Sequence, residues 1–142
     1  MNIKQIKQLF FDSSPDLPWK SINNTWRIKE KVVSDRKILG EYSLLWTKDG
    51  RRGDTGKSIK LSNLRKDFHH IGQDWRKKVL ELAAEFEEQK VPIQIVALSV
   101  GTLIVDGCHR VSSIMMCECQ FSILIVELDP PKGIVWTVNE ML

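Results

Sequence analysis

A chain of 142 residues, 42% hydrophobic and 27% charged, has the size and balance of one ordinary globular domain and excludes a mainly disordered polymer. Its net charge of +3 permits contact with nucleotides or nucleic acid without demanding it. The longest apolar run, around 121–128, is too short to cross a bilayer, and the N-terminus lacks the apolar core of a secretion signal. The expected setting is therefore cytoplasmic, with no membrane partner.

In chain order, Ile3, Ile6, Leu9 and Phe10 recur at helical spacing and predict a short amphipathic helix over 2–11. Pro15, Pro18 and their polar neighbours break it. Residues 19–40 admit two readings. Trp26 and Ile28 alternate with polar residues as in a strand, whereas Lys29-Glu30-Lys31 suits a helix equally well. Residues 41–47, with Tyr42, Leu44, Leu45 and Trp46, favour a strand. The glycine-rich stretch 49–56 is a loop. It resembles a P-loop only loosely, because Arg51 stands where Gly-x4-Gly-Lys-Ser requires its first glycine.

Leu61, Leu64, Phe68 and Ile71 mark one helical face, interrupted at Gly72. Asp74 is the expected cap of a further helix that buries Trp75, Val79, Leu82, Ala83 and Phe86. Residues 92–98 form a strand, 99–102 a tight turn, and 103–105 an antiparallel partner. Residues 108–116 then form a helix with Val111, Ile114 and Met115 inward, and 121–128 a last buried strand stopped by Pro130-Pro131. This order describes an α+β fold, a mixed β-sheet with packed helices. Residues 1–40 read as an N-terminal helical or irregular extension packed on a domain over 41–142.

The strand, then Asp106-Gly107-Cys108-His109-Arg110, then a helix, is the most specific feature. A helix start presents main-chain N–H donors and the positive end of the macrodipole. Gly107 permits a sharp bend and a close approach. Arg110 offers a planar fork of donors suited to phosphate oxygens, and His109 another donor, charged when protonated. Together they form an anion cradle. The plainer reading has Asp106 capping the helix and His109 and Arg110 solvated in its first turn.

Residues 103–113 resemble the Asp-Gly-x-His-Arg-x-x-Ala signature of ParB-like domains, with Ser113 in place of the alanine. The Gly-Cys-His-Arg core is also similar to that of sulfiredoxins. The resemblance covers the C-terminal half and implies a ParB/sulfiredoxin-like fold. It implies that Gly107, His109 and Arg110, flanked by Asp106 and Cys108, bind the phosphates of ATP or a related nucleotide, with Mg²⁺ as a companion ion. Relatives include CTPases of chromosome segregation, proteins described as nucleases and a kinase of free serine. The implied activity is that of a phosphotransferase or NTPase. Two alternatives stay open. One is a non-catalytic module that binds DNA or a protein partner. The other is sulfiredoxin-like thiol chemistry with Cys108 as the catalytic nucleophile, in a position that favours a lowered pKa.

Other features carry less. The basic stretch 48–70 has little aromatic interleaving for nucleic acid. Cys117 and Cys119, with Cys108, match no common zinc spacing, and His69-His70 would diverge on a helix. Glu85, Glu87 and Glu88 with Lys77, Lys78 and Lys90 read as a solvated face. Trp19, Trp26 and Trp46 are expected in the core.

Overall fold

The long apolar runs of the C-terminal half become the centre of a six-stranded mixed sheet of order β1-β6-β4-β5-β2-β3. The computed structural model describes residues 1–15, 17–44 and 59–132. The strands are β1 (Arg27–Val33), β2 (Ser43–Leu44), β3 (Ile59–Lys60), β4 (Ile93–Val100), β5 (Leu103–Asp106) and β6 (Phe121–Asp129). The helices are α1 (Ile3–Phe10), α2 (Arg36–Leu39), α3 (Leu64–Asp67), α4 (Gln73–Glu88) and α5 (Cys108–Met116). The fold is α+β, a mixed open sheet with packed helices. The loop 49–56, with Leu45, Trp46 and the P-loop-like residues 53–58, lies outside the described residues.

β4 and β5 form the expected hairpin, turning at Gly101. α5 then crosses back so that β6 runs parallel to β4, from Ile93 opposite Phe121 to Val100 opposite Leu128. Buried on both flanks, β6 reads as a near-continuous apolar run. Glu127 is its buried charged residue. Its carboxylate accepts a short hydrogen bond from the Tyr42 hydroxyl, and Lys31 Nζ lies 3.3 Å from its other oxygen. Burial first, and then this carboxylate, push the Tyr42 phenol well above its ordinary pKa.

The ambiguous segment before residue 40 resolves as strand. β1 pairs antiparallel with β6, from Arg27 opposite Asp129 to Val33 opposite Ile123. Lys29-Glu30-Lys31 is charged because β1 lies at the sheet margin. Charged edge strands resist pairing with other chains. The chain's amino group meets Glu30 at 3.0 Å. α1 starts where expected, closed by a reciprocal capping box between Asn2 and Gln5.

Two local expectations need correction. Residues 61–71 are not one helix but the single turn α3 between two 3₁₀ turns, 61–63 and 68–70. Ser62, Asn63 and Asp67 are residue types of low helix propensity, while Leu61, Leu64 and Ile71 still reach the core. Asp74 does not cap α4. Gly72 occupies that position, and Asp74 sits in the first turn, where a negative charge suits the helix dipole. Among the described residues, no helix is long and apolar enough to cross a membrane.

The C-terminal end of α5 is fastened by Arg36 of α2. Its Nη2 donates to the carbonyls of Cys117 at 2.9 Å and Cys119 at 2.8 Å, and both Nε and Nη2 reach that of Ile114 at 3.2 Å. The guanidinium stacks over Phe121 at 5.0 Å. A cation here satisfies carbonyls that a helix end leaves open and suits the negative pole of the dipole. Replacing Arg36 by Ala is expected to lower stability by about 2–3 kcal/mol, the scale of hydrogen bonds from a charged donor. Urea unfolding monitored by tryptophan fluorescence measures it.

Candidate functional site

β5 delivers Asp106 to the sheet's rim, and the chain turns at Gly107 with φ +88 before α5 begins. That conformation lies in the left-handed region, which glycine adopts without Cβ strain. A Cβ at 107 would meet the Cβ of Ala97 at 3.4 Å, an ordinary contact, so it is the backbone conformation rather than space that calls for glycine. The ladder of α5 starts with Val111 N–H donating to the Gly107 carbonyl at 2.9 Å. No described side chain caps this end, which leaves the positive pole of α5 facing an open cavity.

The cavity measures about 520 Å³ and is lined by Ser13, Ser14, Lys78, Leu82 and residues 105–110. All five residues singled out in the sequence border it. The imidazole of His109 leans toward α4, with its ring 5.2 Å from that of Trp75. The guanidinium of Arg110 leans toward β4. It is exposed, with Nη2 at 3.4 Å from the Val96 carbonyl and 4.0 Å from Oδ1 of Asp106. The two side chains thus sit on opposite rims of one opening.

The sequence left the charge of His109 open, as a donor that is charged only when protonated. Burial, and secondarily the positive charge of Lys78, lower its pKa from the ordinary 6.5 to about 4. At neutral pH it is a neutral ring that offers one N–H and one lone pair.

Asp106 does not cap α5. Its carboxylate, in a residue only 7% exposed, accepts from Ser13 Oγ at 2.6 Å and Ser14 Oγ at 2.5 Å. Those serines immediately follow α1, so the N-terminal segment closes one side of the site. The local sequence favours this. Phe10 is buried, Ser14 N–H donates back to the Phe10 carbonyl at 2.8 Å, and Trp19 Nε1 donates to the Ser14 carbonyl at 2.9 Å. Two hydroxyl donors and a nearby guanidinium offset much of the cost of a buried carboxylate.

The Cys108 thiol is buried and donates to the Ile104 carbonyl at 3.4 Å. Cys117 and Cys119 lie at the other end of α5, with their sulfurs 3.0 Å apart. Burial, then Cys119, raises the Cys117 pKa to about 12.

Three site residues escaped the sequence reading. Lys78 had been assigned to a solvated face. Its spacing from Trp75 and Leu82, three and four residues, was the available signal, since both are apolar residues on that side of α4. Ser13 and Ser14 looked like turn formers. Nothing local in the sequence points them at a residue more than ninety positions away.

Comparison with family models, with curated proteins and with solved structures finds no match for this chain.

Two outcomes are expected. Gly107→Ala should lower stability by about 1–2 kcal/mol, the cost of a left-handed alanine, measured by urea unfolding. For His109 the lowered folded pKa means that the unfolded chain binds more protons between its ordinary 6.5 and about 4. The His109 contribution to stability is therefore present above 6.5 and lost as the pH falls through that window. Unfolding at pH 7 and pH 5 should show a smaller acid loss in His109→Gln than in the parent.

Proposed function

We propose that this chain is a ParB/sulfiredoxin-like nucleotide-binding protein that uses ATP or a related triphosphate in phosphoryl transfer or hydrolysis. The observation that carries the reading is the cavity above Gly107, where the uncapped pole of α5, Arg110 and Lys78 border one opening. A phosphate chain needs several donors of positive potential converging from different elements. Here they come from α5 and α4. The neutral His109 adds a directional N–H donor. Asp106 would repel phosphate if bare, but its charge is engaged by two hydroxyls and lies 4.0 Å from the Arg110 guanidinium.

Leu82 and the apolar stem of Lys78 offer a wall for a base or sugar. The signature in 103–113 supports the same reading. The burial of the Cys108 thiol and its bond to main chain weigh against thiol chemistry as the first choice.

Magnesium draws most of its ligands from phosphate and water, with one or two carboxylates. Asp106 is the carboxylate on the cavity wall, and among the described residues no group of three or more His, Cys, Asp or Glu gathers around an ion. The donor set fits an ion that arrives on the nucleotide, where it would neutralise charge on the transferred group.

Titration calorimetry with ATP, CTP and ADP tests the proposal. Binding is expected, and Arg110→Ala should weaken it by about tenfold to a hundredfold, the value of a lost charge-assisted contact. An anion in the cradle should also raise the His109 pKa, read from imidazole proton shifts. Absence of binding for all three nucleotides overturns the reading. Binding without turnover, together with salt-dependent DNA affinity, would instead mark a non-catalytic DNA-associated module.

A further inference from the structure

Ser13 and Ser14 both donate to the same oxygen of Asp106, yet they are not equivalent. Both border the cavity, but Ser14 is only 4% exposed, whereas Ser13 is an exposed residue. Ser13 Oγ is held at 2.6 Å from Oδ2 of Asp106 and at 3.3 Å from the Phe10 carbonyl. A hydroxyl on an exposed residue, already donating its proton to a carboxylate, is the arrangement that general-base activation requires. Arg110 approaches the other oxygen of the same carboxylate at 4.0 Å, so an anion drawn to that guanidinium lies beside the hydroxyl.

We propose that Ser13 is a phosphoacceptor in cis, taking the terminal phosphoryl group of a nucleoside triphosphate bound in the cavity, with Asp106 as the base. The proposal rests on the nucleotide reading above. In the step, a bond forms between Ser13 Oγ and the terminal phosphorus. The bond from that phosphorus to its bridging oxygen breaks, and the nucleoside diphosphate leaves with the electron pair. The hydroxyl proton passes to Asp106, and nothing is oxidised or reduced.

The product has a physical consequence. A phosphoserine carries about −1.5 to −2 charges and no longer donates to Asp106. It repels that carboxylate and offers Arg110 a nearer anion. The N-terminal segment would then be held to the turn by Ser14 alone, which makes the modification a regulator of access to the cavity.

The test uses the full chain with Mg²⁺ and ATP labelled on the terminal phosphate, with fragment mass mapping to place the label and calorimetry in parallel. Label is expected on Ser13, with a first-order rate that does not change with protein concentration. Ser13→Ala should lose the label, and Ser13→Thr should regain it as phosphothreonine. Asp106→Asn, with its fold checked by circular dichroism, should slow labelling by about a hundredfold or more, the scale of a lost general base. Nucleotide binding without label at Ser13 overturns the proposal and leaves the binding reading standing. Label on Ser14 or elsewhere, or a rate proportional to protein concentration, overturns it equally. No nucleotide binding at all removes both.

Discussion

A buried carboxylate must be matched by donors, and in this fold the match is made across almost the whole chain. Asp106 stands at the rim of the sheet, where a lone charge would be costly. Its donors come from Ser13 and Ser14, just beyond α1. That single constraint draws the N-terminal segment over the strand-to-helix turn and gives the cavity one of its walls. It also restrains the negative charge of Asp106 beside a site built to attract anions.

The second determinant is the seating of α5. At its start, Gly107 makes the left-handed turn beside Ala97 of β4. In its middle, the Ser113 hydroxyl lies 2.6 Å from the His109 carbonyl and 3.0 Å from the Val79 carbonyl of α4, and its one proton serves either. At its end, Arg36 gathers three carbonyls. Small side chains at 97 and 113 let backbones approach, and the polar contacts fix the rotation of the helix. That rotation decides which way His109 and Arg110 face. A helix so fixed can hold the two side chains on opposite rims without strain elsewhere in the site.

Much of this was legible in the sequence, and the reasons are particular. β4, β5, α5 and β6 are long apolar segments with clear punctuation at Gly101, Gly107 and Pro130, so local pattern and tertiary context agree. The strand-turn-helix with its histidine and arginine was visible because its chemistry is contiguous. β1 was ambiguous because a marginal strand that carries three ion pairs has no clean alternation. The 61–71 segment kept its buried positions but lost its regularity, because apolar spacing near three or four suits 3₁₀ turns as well as α-helix. The charge of His109 stayed open in the sequence because it depends on burial and on Lys78, which lies on another helix. The serine clasp was invisible for the same reason, being a contact of very long range.

The order of the sheet has a consequence for how the polypeptide is made. β1 lies next to β6 alone, and β6 emerges from the ribosome about ninety residues later. Until then the first strand has no ladder to join, and the serines upstream of it meet their carboxylate only once Asp106 has emerged, shortly before β6. The nascent N-terminal third must therefore wait unpaired, and its lysines and glutamate keep it hydrated in the interval. Closure of the cavity is for this reason a late event in the birth of the molecule. A nascent chain that has not yet presented Asp106 has neither the ladder nor the clasp, and that wall is still unbuilt.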